Sequence, residues 1–272
     1  ARRIARRGDT ALARRYLKDN IKYDLGTREV EAVERFHALA RKAGITGNAE
    51  SILQKLVKSV DHGHDPLCVE LDTLDIRGTG ETELRCLGFT LAAGGIGQRF
   101  FTKYYAEPAL GPRGIVSVVT KAVASHLADR LRLPLSDQAL EYGRTIFAPT
   151  RARVTIDGEE LPYREHGAIH AGSLDVSLGG VFRVFPLARD PGRLHFQAGG
   201  IVPLEMIRAL PDLARGGAIK SRYLREVSGK TMIVEALGDE LLEPIIDGEA
   251  FRELSRLEVS RGPRIVVPRI RA

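Results

Sequence analysis

Pro244-Ile245-Ile246-Asp247-Gly248-Glu249 lies near the C-terminus of a 272-residue chain. Two β-branched residues run into Asp-Gly-Glu, the pattern of a buried strand that leaves its sheet through a tight turn, with Gly248 supplying the turn. The carboxylates flank the glycine, so a turn placed at a cleft would hold them at its mouth. A carboxylate there can accept a proton from an attacking hydroxyl. Asp-Gly is also the commonest hairpin dipeptide. The chain carries its own control, because Asp157-Gly158-Glu159 repeats the tripeptide and reads as a plain hairpin. Context has to separate the two copies.

Outward from both turns the chain reads as short strands punctuated by Gly, Pro and Asp. They are expected at Leu67–Ile76, Glu83–Leu91, Ala152–Ile156, Gly167–Ala171, Gly180–Pro186, Leu194–Ala198, Lys230–Ala236, Leu242–Ile246, Arg256–Val259 and Arg264–Pro268. This pattern predicts an antiparallel β-sandwich. Two helical insertions interrupt it: Arg113–Leu131, and Pro203–Leu213 with Leu204, Ile207, Leu210 and Leu213 on one face. Before residue 61 the texture differs. Residues 1–19 are helical in pattern and rich in arginine, and Ile21–Leu25 could be a short strand. Thr27 caps a helix over Glu29–Lys42 that Gly44 ends, and a further helix covers Ala49–Val60. The polar loop Asp61-His62-Gly63-His64-Asp65 marks a boundary, with an incomplete α/β domain over residues 1–60 and the sandwich over 61–272. The sequence has no internal repeat and no low-complexity tract.

Lys and Arg number 41 against 35 Asp and Glu, a formal charge of +6, which favours an anionic partner. Basic residues are not interleaved with stacking aromatics, which argues against nucleic acid. No apolar run approaches bilayer length. Cys68 and Cys86 stand apart in apolar surroundings, as reduced core residues of a cytosolic protein do. The basic start is unlike a secretory signal, and without an initiator Met the chain is expected to begin inside its gene product. The Asp/His loop at 61–65 alternates metal-ligand types, but its spacing fits no hydrolase metal motif. Gly94-Gly95-Ile96-Gly97 lacks the third glycine, βαβ setting and downstream acid of a dinucleotide site. No Gly-x-Ser-x-Gly elbow or Walker-type loop occurs.

The order of features after residue 67 is more specific than any one motif. Leu87-Gly-Phe-Thr-Leu-Ala-Ala-Gly-Gly-Ile-Gly97 precedes a helix near Gly114 and the hairpin at Asp157-Gly158. Then come Gly179-Gly180-Val-Phe-Arg-Val-Phe-Pro186-Leu-Ala188-Arg-Asp190-Pro-Gly192-Arg-Leu194, the Pro203–Leu213 helix, Asp247-Gly248-Glu249 and a closing Val-Val-Pro268. This order resembles the diacylglycerol-kinase-type lipid kinases, a family that includes sphingosine and ceramide kinases. The likeness covers most of residues 85–268 and, more weakly, 20–60. It implies an N-terminal α/β domain that binds ATP and a C-terminal β-sandwich that covers the lipid cleft. By motif position the proton-accepting role falls on Glu249, with Asp247 as neighbour or rival, and Thr27 stands where the family touches its nucleotide.

The departures are equally specific. The Gly-Gly-Asp-Gly-Thr phosphate loop, whose amides would cradle a nucleotide, does not occur, nor does the later Gly-Thr-x-Asn stretch. Pro191 replaces the aspartate that serves the family as a structural metal ligand, and Asp190 is the displaced candidate for that metal. Helix Glu29–Lys42 hands over at once to another helix, so a strand–loop–helix–strand unit is missing near residue 45. A break in chain continuity is expected between residues 43 and 48.

The resemblance therefore implies a cytosolic, peripherally membrane-associated lipid kinase using ATP and Mg²⁺. Its acceptor would be the primary hydroxyl of a diacylglycerol, ceramide or sphingoid base. The expected partners are that membrane lipid and an anionic membrane surface, not nucleic acid, with room for a homodimer. The rival reading is a non-catalytic lipid-binding or regulatory module descended from such kinases, supported by the absent phosphate loop. The arginine-rich start and positive charge predict salt-sensitive membrane binding. Co-sedimentation with anionic vesicles should weaken as salt shortens the Debye length below about 10 Å. Binding indifferent to both lipid charge and salt would replace this electrostatic attraction with apolar insertion.

Overall fold

A computed structural model describes residues 68–268, apart from 82, 109, 110, 179 and 216. Thr27, the domain boundary at 61–65 and the expected break between 43 and 48 lie outside the described residues. The described chain is a mixed structure of helices and antiparallel sheets. It begins with β1 (Cys68–Leu71), β2 (Leu74–Gly80), β3 (Leu84–Gly88) and β4 (Thr90–Gly95), then α1 (Ile96–Tyr105), α2 (Pro112–Arg130) and α3 (Asp137–Phe147). Next come β5 (Thr150–Ile156), β6 (Glu159–Glu160), β7 (Glu165–His166), β8 (Ala168–Gly172), β9 (Val176–Leu178), β10 (Phe182–Val184) and β11 (Leu194–Gly199). The helix α4 (Pro203–Ala214) leads to β12 (Leu224–Gly229), β13 (Thr231–Ala236), β14 (Ile245–Ile246), β15 (Glu249–Ala250), β16 (Leu254–Arg261) and β17 (Ile265–Pro268).

Two large sheets organise these strands. One has six strands in the order β12-β11-β8-β4-β14-β15, and the other seven in the order β3-β2-β16-β13-β5-β6. Alternation along each strand sends one set of side chains into a shared core. Leu74 and Ile76 of β2, Val154 of β5, Ile169 and Ala171 of β8, Leu194, Phe196 and Ala198 of β11, Met232 and Val234 of β13 and Leu257 and Val259 of β16 form that core. Phe196, Met232 and Leu257 have no solvent exposure. Residues between these positions point the other way. On the six-stranded sheet that outer face meets helices: Ala168 and Leu224 pack with Met206 and Ala209 of α4.

The chain changes sheets at two corners of the same design. β3 ends at Gly88 in the seven-stranded sheet and β4 starts at Thr90 in the six-stranded one, so Phe89 is a corner. β12 ends at Gly229 and β13 starts at Thr231 in the reverse direction, with Lys230 between. A corner frees backbone amides from both ladders, and these need acceptors. Asp247 accepts from Phe89 N at 2.9 Å, Thr90 N at 2.8 Å and Thr90 Oγ1 at 2.9 Å. Asp157 accepts from Lys230 N and Thr231 N, each at 2.8 Å. Each aspartate amide returns a bond, Asp247 N to Thr90 O at 3.1 Å and Asp157 N to Thr231 O at 3.0 Å. Both aspartates hold positive φ, 48° and 51°, and the following Gly248 and Gly158 hold 94° and 84°. That pair of left-handed residues is the two-residue hairpin turn suited to strand twist.

The glycine run after β4 is a packing joint. A side-chain carbon on Gly94 would stand 2.8 Å from Thr150 Oγ1, one on Gly95 2.2 Å from Gly167 O, and one on Gly97 2.1 Å from His170 Nε2. Gly95 at φ 68° turns the strand into α1, whose Ile96 N donates to Gly167 O at 2.8 Å. Only glycine lets the chain pass this close to its neighbours.

His166 on β7 is fully buried, and its Nε2 lies 3.2 Å from Ala152 O. Burial pushes its imidazole down to about 4, against the pull of hydrogen bonds to Ala152 and Tyr163. The folded pKa is thus below the unfolded one near 6.5, so the unfolded chain binds the extra proton between these values. Stability should be lost as pH falls through that window, by up to about 3 kcal/mol for this group. Urea midpoints at pH 7 and 4.5 check this: His166→Gln, which keeps a donor, should lose less on acidification than the parent. Equal losses would remove His166 as a source of the acid sensitivity.

Candidate functional site

The outer face of the six-stranded sheet does not pack uniformly against its helices. Between sheet and helices lies a cavity of about 240 Å³. Its floor is β4, β8, β11 and β12. Its walls include Ile96, Phe100 and Phe101 of α1, Leu210 and Leu213 of α4 and the β9–β10 hairpin with Val176, Leu178 and Phe182. The hairpin is tied down at its base. Arg183 Nε donates to Asp175 Oδ1 at 2.7 Å, Arg189 Nε donates to Oδ2 at 3.2 Å, and Arg183 Nη2 also bonds Asp175. The hydrogen bond from Arg183 is the main reason the Asp175 carboxyl lies below its ordinary value. The cavity is lined overwhelmingly by apolar groups, as a site for an alkyl chain should be.

The Asp247-Gly248-Glu249 turn is attached to this cavity, and its twin is not. β14 pairs with β4 through Ile245↔Ala92 and Ile246↔Leu91, which sets the turn beside the floor. Gly248 is among the lining residues, and a side-chain carbon there would come within 2.7 Å of the Tyr105 hydroxyl. Tyr105 ends α1, so helix and turn meet at the rim. Burial raises the Tyr105 phenol, and the neighbouring Tyr104 adds to the shift. Glu249, the next residue, is exposed. Cys86, on β3 of the other sheet, is pushed up first by burial and then by the charges of Asp247 and Glu249. The twin residue Glu159 instead faces Arg225 at 3.6 Å, away from the cavity lining.

The two carboxylates therefore differ in what they are free to do. Asp247 spends its acceptor capacity on the Phe89–Thr90 corner, as Asp157 does at its own corner. Such bonds hold a carboxylate in place and leave little for a transferred proton. Glu249 takes no part in the corner bonds and is exposed on the edge strand β15. It is paired with the core residue Ile246, so its side chain leaves the sheet edge on the core-facing side and not among the groups that line the cavity.

Asp190 is exposed on the turn before β11, and only its backbone oxygen is engaged, by Arg193 N at 3.2 Å. The buried carboxylate at this turn is Asp72, which accepts from the Gly192 amide and from Arg264 Nε at 2.8 Å. Burial pushes Asp72 up, but the bonds from Arg264 and Gly192 outweigh that and hold it low. It is the anchor of the loop. Among the described residues no group of three or more His, Cys, Asp or Glu side chains gathers as a metal site would.

Sequence reasoning missed the polar side chains of the cavity floor, His170, His195, Gln197 and Glu226. The signal was present in Leu194-His195-Phe196-Gln197-Ala198: alternation that buries Leu194, Phe196 and Ala198 in the core must send His195 and Gln197 to the opposite face. Burial pushes the His195 imidazole down to about 4, and nearby His170 adds to this.

No protein-family model matches the chain, and no curated protein matches it. Among solved structures the chain is similar to a diacylglycerol kinase from Bacillus anthracis strain Sterne, with TM-score 0.40 and 11% identity over 82% of this chain and 59% of that one. Two further structures from that organism, proposed diacylglycerol kinases, have TM-scores of 0.45 and 0.43 and identities of 13% and 15%. Each is matched over 81% of this chain and over 61% and 62% of its own length. The chain spans about three fifths of the length of these structures.

If each aspartate serves its corner, Asp247→Ala and Asp157→Ala should cost similar stability, about 1–2 kcal/mol, by removing an ionised acceptor from backbone amides. Glu249→Ala should change stability by less than about 0.5 kcal/mol. Denaturant midpoints check all three. An Asp247→Ala protein as stable as the parent would remove the corner from the account of this turn.

Proposed function

We propose that the chain is an ATP-dependent lipid kinase whose acceptor is the primary hydroxyl of a diacylglycerol, ceramide or sphingoid base. The observation that carries this reading is the position of Gly248 at the rim of the apolar cavity, with the exposed Glu249 the next residue, on the edge strand β15. A lipid whose chain enters the cavity would leave its headgroup at that rim. Glu249 then accepts the hydroxyl proton as the oxygen attacks the γ-phosphorus of ATP. The bond to the bridging oxygen breaks and ADP departs. Asp247 positions the turn and takes no proton. Phosphoryl transfer needs mainly positioning and charge neutralisation, and the described residues supply the acceptor half of that requirement.

ATP and Mg²⁺ belong to the proposal through the sequence resemblance, with Thr27 as the nucleotide contact. The described residues do not form a cage for the metal, since Asp190 stands alone, so the chemistry assigned to them is confined to the acceptor hydroxyl. Delivery of the lipid fits a peripheral protein. No helix among the described residues is long and apolar enough to cross a membrane. Leu131, Leu133 and Leu135 are exposed between α2 and α3, interleaved with exposed Arg130 and Arg132. Leucines to enter the interface and arginines to meet anionic headgroups suit an anionic bilayer.

The second reading, a lipid-binding module without catalysis, is favoured by one observation, the absence of a Gly-Gly-Asp-Gly-Thr loop from the sequence. A radiolabelled-phosphate assay on a panel of diacylglycerol, ceramide and sphingoid bases separates the two. In the kinase reading one class is labelled, and Glu249→Gln lowers the rate by about 10²–10⁴ with folding intact, while Glu159→Gln is silent. Labelling of no lipid by a protein that still binds them would establish the module. A comparable loss in Asp247→Asn with activity kept in Glu249→Gln would move the base to Asp247.

A further inference from the structure

The cavity floor is not apolar throughout. Ala92 of β4 pairs with His170 of β8, His170 with Gln197 of β11, and Gln197 with Glu226 of β12. Three polar side chains thus lie side by side across adjacent strands, all on the face turned from the core. His195, two residues before Gln197, joins them on that face and is 1% exposed. All four border the cavity.

Their hydrogen-bonding capacity can be followed atom by atom. His170 Nδ1 lies 2.9 Å from Gln197 Oε1. An amide oxygen only accepts, so Nδ1 carries the proton and Nε2 is a bare lone pair. That nitrogen is buried without a partner, sealed against Gly97. His195 Nδ1 accepts from Leu187 N at 3.4 Å, which leaves its proton on Nε2, 3.4 Å from Glu226 Oε1. Burial pushes the Glu226 carboxyl up. Among the described residues, the Gln197 amide NH₂ and the second Glu226 oxygen are left without a protein partner. They lie on paired residues of adjacent strands, one a donor and the other an acceptor.

We propose that the cavity selects a lipid chain bearing a hydroxyl group along its length, which accepts from the Gln197 amide and donates to the Glu226 carboxyl. This rests on the reading of the cavity as the slot for the lipid chain. Neither atom is sealed from the cavity as His170 Nε2 is, so both are open to a ligand, and a hydroxyl, which accepts and donates, can bond the two at once. An unsubstituted chain would dry the floor and leave amide and carboxyl unpaired, which a site built to bond a hydroxyl penalises strongly. Polar groups that break the local packing rule mark a binding function.

Displacement of a dansylated fatty acid from the full chain tests this, with octadecanoic acid and its positional monohydroxy isomers as competitors. Gln197 and Glu226 are paired on adjacent strands, so a single position along the chain would meet both, and one isomer or two adjacent ones should bind at least about tenfold tighter than octadecanoic acid. The double variant Gln197→Leu/Glu226→Leu should bring all isomers within about twofold of octadecanoic acid and still bind the plain chain, while melting below the parent because His170 and His195 lose their acceptors. Glu226→Gln, which keeps an acceptor, should retain most of the preference. If octadecanoic acid displaces the probe and no isomer is preferred, the hydroxyl inference falls while the slot stands. If no competitor displaces it, both fall. Should the double variant fail to fold, the isomer series on the parent protein decides alone.

Discussion

Two carboxylates hold the corners at which the chain passes between its sheets. A strand can leave one ladder for another only by stranding amides at the bend, and each stranded amide costs free energy unless an acceptor meets it. Asp247 meets Phe89 and Thr90, and Asp157 meets Lys230 and Thr231. Each corner has a glycine before it and a threonine after it, and at each a side-chain carbon on the glycine would approach the aspartate, 3.3 Å at Gly88 and 3.0 Å at Gly229. The repeated tripeptide is thus a repeated solution to one backbone problem. Through the first corner the turn at 247–249 is fixed to β4 and hence to the cavity.

The six-stranded sheet serves two environments because alternation gives each strand two faces. On β11, Phe196 fills the core while His195 and Gln197 look into the cavity. The same constraint couples stability to binding. A change of register by one residue would send the polar row into the core and Phe196 into the cavity, so the register that packs the sandwich also builds the floor. The glycine joint at 94–97 belongs to this arrangement: it lets α1 start close enough to roof the cavity, with Gly97 against His170.

Much of the described architecture was legible locally. Short β-branched runs with turn residues marked most strands, and Pro203 with its leucine face marked α4. The errors have physical causes. α1 hides behind Gly94-Gly95-Ile96-Gly97, because glycine lowers helix propensity and its close packing is not written in the local pattern. α3 does carry a local signal, the serine cap Ser136, whose Oγ accepts from Ala139 N at 3.3 Å. β12 was missed because its Leu224-Arg-Glu-Val-Ser-Gly229 is half polar, and Glu226 faces a cavity no local pattern reveals. Single expected strands at Leu67–Ile76 and Glu83–Leu91 are each split, the second at the very corner that Asp247 caps.

By itself the sequence determined that strands would alternate their faces, that Asp157-Gly158 and Asp247-Gly248 would turn tightly, and that the chain would carry excess positive charge. These follow from covalent geometry, side-chain period and composition, all local quantities. Only the tertiary structure decided that both turns serve sheet corners, that just one of them borders a cavity, and that His170, Gln197 and Glu226 stand in one row. Those residues are 27 and 29 positions apart in the chain, and the pairing of β8, β11 and β12 brings them together. Strand order across a sheet depends on which faces must be buried against which partners, a property of the whole packed chain.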